Sequence, residues 1–423
     1  MIEILNISFI ALIVYWIYKS QRSSPIRKYF FSALVIKLLA GIGVGVLYFY
    51  HYGYGDTIGY HQDAIRLSGL FINNFNEYFK VLIGSSIDNS QFIYCNQPRA
   101  FFLVKLLSVT HLVTGQDYWI SGIYFSLFSF IGFWALANSL ADHFSSNKLS
   151  IVISLLFFPS VVFWSSGIIK ESLAMGALMF VIKLLIDWLF IHNIGWKRIA
   201  LGAMLLFLVW QLKYYYLGVF LMVTVPLTIT EMIKLRTPKR LSKYVIYCFS
   251  AVLLIGLVSL LHPNFYLSNI LDVIVQNHDL YVIDSRPDQL IHYGDLQPTL
   301  WSVGFYFPLA IWSGLFRMGL WEANQLIEYL VGFENLVLLL LTIGAVTQFP
   351  KLKKSPHNLL IYTAILYTIA LAGFLALSAP NLGTLARYKL GFLPVFLLLI
   401  TSGNPLVAYL KSKSSTKVED ISE

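Results

Sequence analysis

The stretch GYGDTIGYHQDA, residues 53–64, places Asp56 between two glycines and His61 a short step on, directly after an apolar run that reads as a membrane crossing. A carboxylate so placed can take a proton from an attacking hydroxyl, and a nearby imidazole can assist or orient it. His61 reads slightly better as an ordinary boundary histidine. A second stretch, FFPSVVFWSSGIIKES over residues 157–172, sets Pro159 inside an apolar segment, follows it with Ser165, Ser166 and Gly167, and ends on Lys170 and Glu171. This order predicts an interrupted helix and a new one beginning near Ile168, capped by Ser165 or Ser166. The free N–H groups of such a helix start, with Lys170 beside them, suit a phosphate group. Glu171 in the same turn has the competing role of satisfying the helix dipole and Lys170 by itself. Arg317 and Arg387 add cations able to grip a phosphate through paired hydrogen bonds. Glu171, Glu322, Lys213 and Tyr388 are expected to support these groups.

Those residues need a scaffold, and the composition says which kind. Of 423 residues 57% are hydrophobic and 12% charged, and the mean hydropathy is +0.70. Apolar runs recur from end to end at the length a helix needs to cross about 30 Å of hydrocarbon. The expectation is an all-α, polytopic membrane helix bundle, with residues 1–410 as a single transmembrane domain and 411–423 as a cytoplasmic tail. The first run, residues 4–18, lacks a basic start and an obvious cleavage site, and so reads as a retained helix. Cys95 and Cys248 are too few for a disulfide framework.

The net charge of +9 does not point to nucleic acid, because 17 of the 30 Lys and Arg fall into short clusters between apolar runs. These clusters are Lys19 to Lys28, Lys197 with Arg198, Lys234 to Lys243, Lys351 to Lys354, and Lys411 to Lys417. The bias of cytoplasmic loops towards Lys and Arg places all five on the inner side. Crossings near 4–18, 30–50, 118–141, 149–164, 169–191, 198–212, 215–233, 244–261, 328–349, 358–377 and 387–403 satisfy that constraint, eleven in all. Segments 100–114 and 300–316 are expected to enter the membrane without crossing or to lie on it; pairing each with a further span gives about 13 helices. Residues 64–83 have the amphipathic pattern of a helix in the interface, within the first outer loop. On this topology Asp56, His61, Lys170, Glu171, Lys213, Arg317, Glu322, Arg387 and Tyr388 all fall at or near the outer surface. Charges at membrane depth are costly and tend to line a cavity, pair or serve a function. Lys183 has no partner visible in the sequence. Gly41, Gly43 and Gly45 are expected to permit close helix contact.

At these residues the sequence resembles a known class. GYGDTIGYHQDA after an early helix, followed by an amphipathic helix, is similar to the first outer loop of the GT-C superfamily of membrane glycosyltransferases, whose acid there acts as base or metal ligand. PSVVFWSSGIIKES, PLAIWSGLFRMGLWEANQLIEYLVGFEN and NLGTLARYKLGFLP resemble segments of bacterial polysaccharide-locus membrane proteins, including Wzy-like polymerases. The resemblance implies Asp56 as the first-loop acid and matches Lys170, Arg317 and Arg387, read above as lipid-phosphate ligands, to charged positions of the family. It departs from the family in two ways. The next acid is Asp63 instead of an adjacent one, and the loop follows the second helix instead of the first. A divalent metal is therefore not indicated, and no cofactor is expected.

The function expected is transfer of a sugar from a polyprenyl-phosphate-linked donor to a glycan or glycolipid acceptor. It would take place on the outer face of a bacterial cytoplasmic membrane, in cell-surface polysaccharide or glycoconjugate synthesis. Two alternatives stay open: a Wzy-type repeat-unit polymerase, and a transporter of lipid-linked sugars. Residues 262–299 read either as a cover that selects the acceptor or as a solvated connector.

Overall fold

The computed structural model describes residues 1–84, 91–193, 195–236, 242–261, 266–348, 350 and 354–409. The tail 411–423 and the basic residues Lys239, Arg240, Lys351 and Lys353 lie outside the described residues. Among the described residues the regular elements are helical, and the single β-type contact is a bridge between Leu290 and Asn381. Eight helices are long and apolar enough to cross a membrane, or nine if one bent pair counts as a span. The chain is a membrane protein with an all-helical fold. It divides into two compact units, Met1–Leu217 and Gly218–Glu423.

The first unit contains α1 (Ile2–Ser20), α2 (Phe30–Val46), α3 (Asp56–Asn73), α4 (Phe75–Ile83), α5 (Pro98–Thr114), α6 (Tyr118–His143), α7 (Lys148–Val152), α8 (Pro159–Trp164) and α9 (Lys170–Ile191). Helix α10 (Trp196–Arg236) begins there. The helix α6 packs on α2 and α9, and small residues set how closely. A Cβ on Gly41 would collide with the Ser126 side chain, and one on Gly132 with the Gly176 backbone. Lipid is as apolar as a leucine core, so intimate backbone packing of this kind is what brings membrane helices together.

Four expected crossings take a different form. The 149–164 segment is broken into α7, a π-turn over Ile153–Phe157, and α8, because Phe158 is extended ahead of Pro159 at the first position of the next helix. Crossings 198–212 and 215–233 belong to the 41 residues of α10, which are interrupted where Lys213 leaves helical geometry at φ −147° and ψ 65°. The stretch is therefore two helices meeting at Lys213 and not one continuous helix. The last crossing is a pair bent by 70°. Residues 64–83 are also two helices. Asn74 stops α3 and caps α4, accepting from Glu77 N at 3.2 Å while its amide donates to the Glu77 carboxylate at 3.0 Å. Phe71, Phe75 and Phe79 form an exposed aromatic edge along α3 and α4.

The second unit contains α11 (Lys243–Leu261), α12 (Leu267–Asp284), α13 (Leu300–Phe316), α14 (Leu326–Val346), α15 (Asn358–Ser378), α16 (Leu382–Tyr388) and α17 (Leu393–Thr401). The α13 helix packs on α15 through Gly314, whose missing Cβ lets it approach the Ala372 carbonyl. Both α5 and α13, the two segments left out of the span list, are helices of 17 residues. The region read as an outer loop carries the 18-residue helix α12. The segment after it is tied down where Ile291 N donates to Pro380 O at 2.7 Å.

Candidate functional site

In the first unit, the turn after α2 delivers Asp56. A π-turn over Leu47–Tyr52 ends in Gly53 at φ 70°, and Gly55 at φ 148° sits where a Cβ would strike the Tyr48 ring at 2.8 Å. Only glycine fits there, and the chain it releases starts α3 at Asp56. Asp56 is therefore the first residue of a helix and not part of a flexible loop. Its carboxylate faces the positive end of the helix dipole.

The Tyr94 hydroxyl hydrogen-bonds to Asp56, and its ionisation is pushed up first by burial and then by the Asp56 charge. Tyr94 thus stays a protonated donor. It is held by a carboxylate the sequence reading left aside. Asp63, fully buried, accepts from Ile93 N at 3.0 Å and Tyr94 N at 2.9 Å and pairs with Arg66 at 3.1 Å. The second acid of the motif is therefore a structural anchor. Tyr94 packs against Tyr60 with ring centroids 4.7 Å apart, and the Lys170 ammonium lies 5.6 Å from the Tyr60 ring centre. Asp56 and Lys170 consequently flank one tyrosine pair, although 114 positions separate them in the chain.

His61 turns towards α5. Its Nδ1 lies 3.3 Å from His111 Nε2, and its ring packs edge-on to Tyr118. Burial lowers the His61 pKa against an opposing pull from Asp117. Burial, then the neighbouring His61, lower that of His111 to about 4, against a backbone hydrogen bond at Ala64. His61 is half-buried and in contact with a second histidine.

The expected cap of the 170s helix is corrected. The α9 helix begins at Lys170 after Ile169, with no side-chain cap, because Ser165 and Ser166 donate back to the Val161 and Val162 carbonyls. Lys37 of α2 donates to Ser165 Oγ and lies over the Phe133 ring at 4.6 Å, a buried lysine that the sequence reading did not single out. Glu171 forms a buried ion pair with Lys213 at 2.8 Å, and Lys213 also donates to Tyr215 at 2.9 Å. Lys183 does have a partner: Asp187, at 2.6 Å, which also accepts from Ser139.

The other named residues belong to the second unit. Arg317 Nε donates to Glu322 at 2.7 Å, and the second Glu322 oxygen accepts from Gly319 N at 2.6 Å. The turn between them carries Met318 at φ 22° and is stitched to α14 by Asn335, which donates to the Arg317 and Met318 carbonyls, each at 2.9 Å. Lys389 donates to Arg317 O at 2.8 Å, Leu315 O at 3.3 Å and Asn335 Oδ1 at 3.0 Å. An ammonium at the carbonyl end of α13 complements the helix dipole. Arg387 lies beside the Tyr388 ring at 5.4 Å, and Tyr388 meets Tyr281 through their hydroxyls at 3.2 Å. Arg317 and Glu322 are thus committed to each other, while Lys389 serves as a structural cation.

Family models, curated proteins and solved structures yield no match to this chain. Among the described residues no group of three or more His, Cys, Asp or Glu side chains is arranged to hold a metal ion. What the first unit does assemble is a carboxylate at a helix start, a protonated phenol on it, and an ammonium one aromatic ring away.

Proposed function

We propose that the protein transfers a sugar from a polyprenyl-phosphate donor to a hydroxyl of a glycan or glycolipid acceptor at the outer face of a bacterial cytoplasmic membrane. The observation that supports this reading most directly is the placement of Asp56 and Lys170 on either side of the Tyr94–Tyr60 pair. One oxygen of Asp56 is oriented by the Tyr94 hydroxyl, and the other takes the proton of the attacking acceptor hydroxyl. The new bond forms at the anomeric carbon as its bond to the phosphate oxygen breaks. The polyprenyl phosphate leaves with the electron pair, and Lys170 stabilises the charge that develops on it.

Purified protein in liposomes with a polyprenyl-phosphate sugar and a soluble acceptor tests the reading. Asp56→Asn is expected to remain folded in the membrane and to stop product formation, and full turnover in that variant removes Asp56 from the mechanism. Joining of whole repeat units instead of single sugars would identify a polymerase. Movement of the donor across the bilayer without any product would identify a transporter.

A further inference from the structure

Arg99, in the first turn of α5, takes no part in the transfer step. Its guanidinium carbon lies 3.7 Å from the centre of the Tyr214 ring, a stacking distance, and the residue is exposed. Among the described residues no carboxylate and no hydrogen-bond acceptor pairs with it. Arg66 and Arg317, by contrast, each have a carboxylate, Asp63 and Glu322. A cation in the first turn opposes the dipole of its own helix, so α5 gains nothing from a charge at this position. A guanidinium stacked by its face keeps its in-plane N–H groups fixed in direction and available to an acceptor. The ring of Tyr214 thus holds a forked donor that has nothing in the protein to donate to.

Two separate trains of contact join Arg99 to Lys170. Along one, Arg99 lies on Tyr214, Tyr214 follows Lys213, Lys213 is 2.8 Å from Glu171, and Glu171 follows Lys170. Along the other, Lys170 lies 5.6 Å from the Tyr60 ring centre, Tyr60 packs on Tyr94 at 4.7 Å, and Tyr94 stands five residues ahead of Arg99. Beneath both, Tyr60, Tyr94, Phe101, Ile168, Leu173 and Leu212 share one apolar core, which fixes the starts of α5 and α9 and the break in α10 against one another. Arg99 and Lys170 therefore border the same patch, which also carries Asp56 through its hydrogen bond to Tyr94. Being exposed, Arg99 meets a ligand at the surface and needs no enclosed cavity. The charge selects the ligand. Two cations suit a terminal phosphate, which carries roughly two negative charges near pH 7, better than the singly charged phosphodiester of a bulk phospholipid. In sugar transfer the lipid phosphate gains that second charge: its bond to the anomeric carbon breaks, the electron pair stays on the phosphate oxygen, and a diester becomes a monoester. A second cation at the patch favours the departing group over the intact donor.

We propose that Arg99, held on Tyr214, is a second phosphate-binding residue of the patch that carries Asp56 and Lys170, and that it selects the terminal phosphate of a prenyl lipid. This rests on the transfer reading and deepens it, by giving the departing group a cation of its own.

Titration of the full chain in phosphatidylcholine nanodiscs with farnesyl phosphate, farnesyl methyl phosphate and farnesol tests it. Farnesyl phosphate is expected to bind about tenfold or more tightly than either of the others. Arg99→Gln should weaken its binding about tenfold, and Arg99→Lys should recover only part of that loss, because an ammonium neither stacks flat nor presents a fork. Tyr214→Leu should weaken it about threefold by releasing the guanidinium. Lys80→Gln, which removes an exposed charge from α4, should bind as the parent does. Because Arg99 is exposed and has no ion pair, Arg99→Gln should melt close to the parent protein, which separates lost binding from lost folding. Unchanged affinity for farnesyl phosphate in Arg99→Gln overturns the proposal. So does equal binding of farnesol, or of farnesyl methyl phosphate, which would assign Arg99 to ordinary phosphodiester headgroups. Turnover distinguishes the two proposals. Binding that depends on Arg99 in a parent protein that forms no product would sink the transfer reading and leave this phosphate site standing. Turnover abolished in Asp56→Asn, with Arg99→Gln matching the parent in both turnover and farnesyl phosphate binding, would do the reverse.

Discussion

The Glu171 carboxylate and the Lys213 ammonium lie 2.8 Å apart with side chains 1% and 3% exposed, joining the first turn of α9 to the break in α10. Taking two charges out of water is expensive, and removing one partner strands the other. Glu171→Gln or Lys213→Met alone is expected to destabilise the first unit by about 3–5 kcal/mol. The double variant should recover most of that loss. Thermal unfolding in detergent checks it, and a double variant no better than either single one would show that the pair does not act as a unit.

Asp63 gives a second prediction, because it does the work of an anchor and not of a catalyst. Asp63→Ala removes the acceptor of two backbone N–H groups and the Arg66 partner, at an expected cost of about 2–3 kcal/mol. The 91–97 segment should loosen, and Cys95, half-buried next to Tyr94, should react faster with a maleimide. An unchanged labelling rate would mean that other contacts hold the segment.

The helices were legible in the sequence to the extent that apolar length defines them, and the breaks at Pro159 and near Lys213 were legible because proline and a charge stand inside apolar runs. The number of crossings was less so, since parity of basic loops does not reveal whether a segment is continuous, bent or broken. Helix α12 was hidden by its polar residues, Asp272, Asn277, His278 and Asp279 among them, which read as a loop. Asp56 and Lys170 stood out as charges beside apolar runs. Their shared neighbours Tyr60 and Tyr94 did not, because aromatic residues are common in membrane proteins. The pairing of Glu171 with Lys213 spans 42 positions and leaves no local trace, whereas Lys183 with Asp187 has ordinary helical spacing and was open to recognition.

The His61–His111 contact makes the first unit sensitive to acid. The folded pKa of His111, about 4, lies below the ordinary histidine value of 6.5. Between those values the unfolded chain binds more protons than the folded one, so stability is fully present above pH ~6.5 and falls as the pH drops towards 4. His61, also lowered, and Asp117, which opposes that shift, are the titrating groups facing the pair. The loss is expected to be on the order of 2 kcal/mol. His111→Phe should flatten the dependence of melting temperature on pH in this window, and an unaltered profile would place the acid sensitivity elsewhere.

Lys389 is expected to behave as a built-in cation of the second unit. Lys389→Met leaves the Leu315 and Arg317 carbonyls and Asn335 Oδ1 without their ammonium and should cost about 2–4 kcal/mol. Lys389→Arg should not restore stability, since a planar guanidinium does not reproduce the compact ammonium that reaches all three oxygens. Equal melting of the parent and Lys389→Arg proteins would show that charge alone suffices.

The carboxylate and the phenol at the Asp56 end of the site have separable roles. If Asp56 takes the proton, Asp56→Asn should lower turnover by about 10²–10⁴-fold with little change in melting temperature. Tyr94→Phe keeps the base and the packing on Tyr60 but removes the hydrogen bond that orients the carboxylate. It should lower kcat by about tenfold and leave KM for the lipid donor nearly unchanged, because the loss falls on alignment in the transition state and not on donor binding. Lys170→Met should show the opposite balance, raising KM for the donor as well as lowering kcat, since its ammonium meets the phosphate both before and during the reaction. Equal KM values in Lys170→Met and the parent would detach the lysine from the phosphate and leave Asp56 without the cation that makes its position chemically meaningful.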